Sequence, residues 1–219
     1  MFSRRVVAVL SFSLVMLAAN AVAHADTVTL FTDRNAFIAA ANNLQNITFE
    51  GIAPPGSVSP GVASLTILGV TFSDSPNNIF VVDSGFFPPT FNFGSGASLV
   101  GGAGGILAVL PPGTTAVGSD IMTALGTGPF QLVLSTGQTF TVTPGVNGVR
   151  NFAGVISDVA ISSLRFNRTV GTPLFDNFLF GQGPGAPVPE PATIILLSSG
   201  LSMIGIGRRR SLRASKKSR

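Results

Sequence analysis

From Thr27 onward, apolar and polar residues alternate in short runs, the period-two signature of half-buried strands. Strands are predicted at 27–31, 46–50, 65–68, 70–73, 79–82, 90–93, 98–99 and 106–110. Further strands are predicted at 115–122, 130–134, 139–143, 152–156, 161–167 and 174–180. Gly, Pro, Ser and Asn punctuate them, most heavily in the Pro/Gly/Ser loop Gly51 to Gly61, at Phe86-Phe87-Pro88-Pro89 and at Pro111-Pro112-Gly113. Ser135-Thr136-Gly137-Gln138 joins two of the strands as a hairpin. One segment has helical spacing instead. Thr32-Asp33 is a cap, and Ala36, Phe37, Ala40 and Leu44 recur so as to face the core of a helix running to about Asn43. Roughly a dozen short strands with a single short helix predict an all-β, jelly-roll-like β-sandwich over residues 26–181.

Both ends depart from this pattern. Arg4 and Arg5 precede an apolar run from Val6 to Ala19, and Ala23-His24-Ala25 is a small-residue cleavage site. Residues 1–25 therefore read as a secretory signal peptide for signal peptidase, with Ala23 and Ala25 at the cut and Asp26 as the first mature residue. At the other end, residues 182–188 form a Gly/Pro linker ahead of Pro189-Glu190-Pro191. An uncharged apolar run of 16 residues, 192–207, follows. As a transmembrane helix it would span about 24 Å, slightly short of a hydrocarbon core of about 30 Å. Arg208, Arg209 and Arg210 close the run and hold the basic tail 211–219 on the cytoplasmic side, leaving everything before Pro189 outside the inner membrane.

The tripartite order of Pro189-Glu190-Pro191, apolar helix and arginine cluster over residues 189–210 resembles the PEP-CTERM sorting signal of Gram-negative bacteria. The resemblance implies recognition by an exosortase, a membrane-embedded processing enzyme. It also implies transient anchoring at the inner membrane, delivery to the cell envelope or extracellular matrix, and a link to exopolysaccharide and biofilm. Several internal segments resemble a β-sandwich domain that recurs in such exported proteins. They include Phe31-Thr32-Asp33-Arg34-Asn35-Ala36-Phe37, Ile47-Thr48-Phe49-Glu50-Gly51 and Leu174-Phe175-Asp176-Asn177-Phe178. That family implies a lectin-like or jelly-roll fold and no single activity.

Charge changes meaning once the ends are set aside. The chain carries +4 overall, but nine of its thirteen basic residues lie in the terminal segments. Between Asp26 and Pro189 only Arg34, Arg150, Arg165 and Arg168 face eight acidic residues, a balance of −4. Nucleic acid is excluded as a partner, because neutralising phosphates requires clustered Lys and Arg. The chain has no cysteine, and its one histidine, His24, leaves with the signal peptide. Serine–histidine and cysteine catalysis and the usual zinc sites are thereby excluded, and no disulfide supports the fold.

What remains is carboxylate chemistry. In jelly-roll carbohydrate-binding modules the first and last strands are neighbours and hold a structural Ca²⁺. The resemblance implies that Glu50 and Asp176 share such an ion if their strands pair, with Asp120 as a third candidate. The alternative is that both are strand-end carboxylates bonded to backbone amides. Phe86, Phe87, Phe91 and Phe93 are either core or a sugar-facing patch, since Trp and Tyr, the usual sugar platforms, are absent. The expectation is a non-enzymatic, structural or adhesive exported protein with exopolysaccharide as a partner. The alternatives are a carbohydrate-binding module proper and a glycoside hydrolase built on Glu50 with Asp120 or Asp176.

Overall fold

The computed structural model describes residues 26–184, apart from positions 75, 87, 88, 92, 94, 95, 103, 147 and 169. The signal-cleavage residues Ala23 and Ala25, the motif Pro189-Glu190-Pro191, the apolar run 192–207 and Arg208 to Arg210 lie outside the described residues, as does Phe87.

Two antiparallel sheets form a β-sandwich. The larger holds β1 (Val28–Phe31), β2 (Asn42–Ile47), β5 (Phe80–Val82), β6 (Ser98–Val100), β8 (Ala116–Ala124), β11 (Gly145–Val146), β12 (Asn151–Ser157) and β14 (Thr172–Gln182). The smaller holds β3 (Ser64–Ile67), β4 (Val70–Ser73), β7 (Ile106–Val109), β9 (Phe130–Leu134), β10 (Thr139–Val142) and β13 (Ser163–Arg168). The larger is ordered β1-β12-β8-β14-β6-β5, with β2 beside β14 and the short β11 parallel to β8. The smaller is ordered β10-β9-β13-β7-β4-β3. The chain crosses between sheets repeatedly, so β12, β8 and β14 are neighbours although they are remote in sequence.

The inner faces make one apolar core. Phe49, Phe72 and Phe178 stack edge to face with centroids 5.3 and 5.0 Å apart, and Phe166 meets Phe175 at 4.2 Å. Each fully buried phenylalanine contributes about 1.5–3 kcal/mol of hydrophobic stabilisation, which suits a domain without disulfides. The hairpin at Leu68-Gly69 is tight because both residues have positive φ, 49° and 82°, the twist that two antiparallel strands require of a two-residue turn.

The helix differs from expectation. α1 spans Arg34–Ala40, with Asp33 Oδ1 accepting the Ala36 amide at 2.7 Å. It stops three residues short of Asn43, because residues from Asn42 onward pair with β14. Asn43 itself sits at φ 53°, a left-handed position that asparagine tolerates and a helix does not. Leu44 is therefore a strand residue, and Ala36 is exposed; Phe37 alone of the four is fully buried. The strand expected at 46–50 ends at Ile47, and the one expected at 90–93 is replaced by a 3₁₀ turn over Pro89–Phe91.

Candidate functional site

Strand alternation sends Val117 and Ile121 of β8 into the central core, and Ala116, Gly118, Asp120, Met122 and Ala124 to the opposite face. That outer face is roofed at both ends. At one end Phe37 of α1 packs with Phe152, Ala116, Ile156 and Leu179. Gly118 and Gly154 leave room for those rings, since a Cβ on Gly118 would lie 2.6 Å from Phe152 and one on Gly154 2.9 Å from Phe37. At the other end Phe93 packs with Met122, Val100 and Leu174, and Phe86 and Phe91 lie against this group. These three phenylalanines are thus packed on the sheet. Asp120 sits between the two roofs, 5% exposed.

A β-bulge completes the cluster. Asp176 lies directly opposite Asp120 across β14 and β8, but the next aligned pair is Leu179 with Gly118. Two residues, Asn177 and Phe178, therefore oppose Ser119 alone. Asn177 takes φ 48°, which asparagine adopts more readily than most side chains. The extra residue turns Asn177 toward the acids, while Phe178 still reaches the inner core. The Asn177 amide nitrogen donates to Asp120 Oδ2 at 2.9 Å and to Asp176 Oδ2 at 3.0 Å, and Ser119 Oγ donates to the Asp176 carbonyl at 2.9 Å.

Two carboxylates facing each other across a sheet repel, so charge must be supplied from elsewhere. Arg34, the first residue of α1, donates from Nη1 to Asp120 Oδ1 at 2.9 Å. Arg150, just ahead of β12, stands 3.5 Å from Asp120 Oδ2 and 3.8 Å from Asp176 Oδ2. Each guanidinium lies over a phenylalanine ring, Arg34 at 5.7 Å from Phe152 and Arg150 at 5.5 Å from Phe93. Desolvation raises the Asp176 carboxyl to about 7; the Asn177 amide N–H and Arg150 oppose that rise, and Asp120 and Glu50 add to it. Asp120 is held by the closer guanidinium and Asp176 by the weaker set, so the two acids of one pair are not equivalent.

Glu50 and Asp176 are brought to the same region by the pairing of β2 with β14, as the sequence required for them to meet. Glu50 Oε1 accepts the Ala97 amide at 2.7 Å and Asp176 Oδ1 accepts the Asn177 amide at 2.6 Å. Gly96 passes directly over Asp176, where a Cβ would fall 2.5 Å from Oδ2. This donor set does not fit Ca²⁺: the ion takes 6–8 oxygens, whereas the oxygens here face a guanidinium and an amide N–H. Among the described residues no three acidic side chains converge on one point. Asp120 is the centre of the cluster, hydrogen-bonded to Arg34 and Asn177. Arg34, Arg150 and Asn177 were not singled out by the sequence. The available signals were the scarcity of cations in the domain and an Asp-Asn pair inside a strand, which favours a bulge.

The described fold is that of an all-β sandwich with neither cysteine nor histidine. Within it, no helix among the described residues is long and apolar enough to cross a membrane. The chain carries a match to the PEP-CTERM protein-sorting motif over residues 187–211, which lie outside the described residues. The match is consistent with a protein that carries this sorting motif, and the motif implies export, transient anchoring at the membrane and processing by an exosortase. No curated protein and no solved structure matches the chain.

Proposed function

We propose that this is a non-enzymatic component of the cell envelope or extracellular matrix, structural or adhesive in role, that associates with exopolysaccharide. The observation that carries the reading is the state of the acidic pair. Asp120 and Asp176 have side-chain exposures of 7% and 3%, and both face guanidinium groups of the same domain. A glycoside hydrolase instead needs two carboxylates about 5–9.5 Å apart that flank an open cleft and reach the scissile bond. The burial of this pair argues for a lock between strands and against a hydrolase. Glu50, the other acid considered for hydrolysis, is engaged with the Ala97 amide.

The test is a fractionation of the native host with intact-mass measurement. The expected product starts at Asp26, ends close to Pro189-Glu190-Pro191, and is recovered with the matrix or outer surface. Recovery of the whole chain, Met1 to Arg219, from the cytosol would end this reading. Hydrolysis of a glycan by the wild type that is lost in Asp176→Asn would replace it with the hydrolase alternative.

A further inference from the structure

Half of the cations between Asp26 and Pro189 line one groove. Arg34 and Arg150 flank a depression of about 510 Å³ that Thr32, Asp33, Asn151 and Asn177 also border. That volume falls in the range of about 300–1,000 Å³ usual for small-molecule sites. The charges are layered by depth. The guanidinium side chains are 28% and 33% exposed, while Asp120 and Asp176 lie behind them. A ligand entering the groove meets planar arginine forks first, each steadied by a phenylalanine ring. Such forks match a carboxylate. Thr32 and Asn151 on the same border carry a hydroxyl and an amide, groups that can both donate to and accept from sugar hydroxyls.

We propose that this groove binds the carboxylate-bearing sugar unit of an acidic polysaccharide, a uronic acid residue, between Arg34 and Arg150. The proposal rests on the exopolysaccharide-associated reading above for the source of the polymer. Asp176 makes the site pH-dependent. The charged groups facing it are Arg150 ahead of β12, Asp120 on β8 with Arg34 of α1 behind it, and Glu50 after β2. When Asp176 is protonated, Arg150 answers to Asp120 and the ligand. When Asp176 ionises, a second carboxylate competes for Arg150. Affinity therefore falls as pH rises through about 7.

The experiment titrates the full chain in detergent with an oligogalacturonate and with the matching neutral oligogalactoside. The expected result is binding of the oligogalacturonate alone, weakening about tenfold between pH 6 and pH 8 if only the protonated state binds. Asp176→Asn should bind with a flat pH profile. Arg150→Ala should lose binding, and Arg150→Lys, which keeps the charge but not the fork, should fall between. Circular dichroism confirms folding of each variant, and Asn151→Ala serves if Arg150→Ala does not fold. Equal affinity for the neutral sugar, no binding by the wild type, or undiminished binding by folded Arg150→Ala and Asn151→Ala overturns the proposal. If the wild type binds neither sugar yet is retained in the matrix, the groove assignment fails and the broader reading stands. If it binds uronate but is absent from the matrix, the broader reading fails and the groove stands.

Discussion

The two faces of the larger sheet are built from the same strands and solve different problems. The inner face is mainly apolar and closes against the second sheet, with Phe178 packed on Phe72 of that sheet and Phe49 beside it. The outer face is divided: Phe37 and Phe152 roof one end, Phe93 and Met122 the other, and a pair of acids lies between. On the inner face stability comes from area removed from water and tolerates no charge. On the outer face four charged side chains and one asparagine are held in a gap between apolar roofs, where their interactions are strengthened by partial exclusion of solvent. The first arrangement is insensitive to pH. The second is not.

That contrast orders the expected effects of substitution. Phe72→Ala, which opens a cavity in the inner core, should cost about 3–5 kcal/mol in chemical denaturation, uniformly from pH 5 to pH 9. Arg34→Ala removes the closest partner of buried Asp120 and should cost about 2–3 kcal/mol, less than for a fully buried pair because the guanidinium is partly solvated. Its cost should shrink as salt is raised and screens the partly solvated pair, whereas that of Phe72→Ala should not; parallel salt profiles for the two would erase the distinction between the faces.

Asp176→Asn sharpens it further. The folded carboxyl is raised above its ordinary value, so the fold favours the neutral form. The contribution is fully present below the unfolded value of 3.8 and is lost as pH rises through about 7. Relative to wild type, Asp176→Asn should therefore gain stability steadily over that window and exceed it above pH 7 by about 1–3 kcal/mol, read as the difference between paired melts. The smallest effect falls at the bulge. Asn177→Ala should cost about 1–2 kcal/mol through lost bridging bonds and an unfavourable φ, and Asn177→Gly less, because glycine keeps the bulge at no conformational cost. Equal losses in the two variants would mean that backbone conformation plays no part.

Much of the inner face was legible. Alternation at Val70-Thr71-Phe72 and at Phe130 to Leu134 marks both the strands and their buried sides, because period two is a local property of an extended chain. The cap at Asp33 was equally local. Asn42 to Leu44 was not: helical spacing suggested that the helix continued, and only pairing with β14 drew these residues into the sheet. Glu50 and Asp176 were singled out together and do meet in one region. For Arg34 and Arg150 the scarcity of cations was the one signal, since nothing in their immediate sequence says which acid each will face.

By itself the sequence determined the class of fold and the lack of cysteine and of any histidine beyond His24. Those rest on composition and on periods shorter than one element. The tertiary structure decided that β8 and β14 are neighbours, that Asp120 and Asp176 fall in register, and that a one-residue bulge turns Asn177 between them. The reason is that cross-strand register in a sandwich joins positions 56 residues apart, as Asp120 and Asp176 are here, and a sequence pattern read a few residues at a time contains no term for that distance.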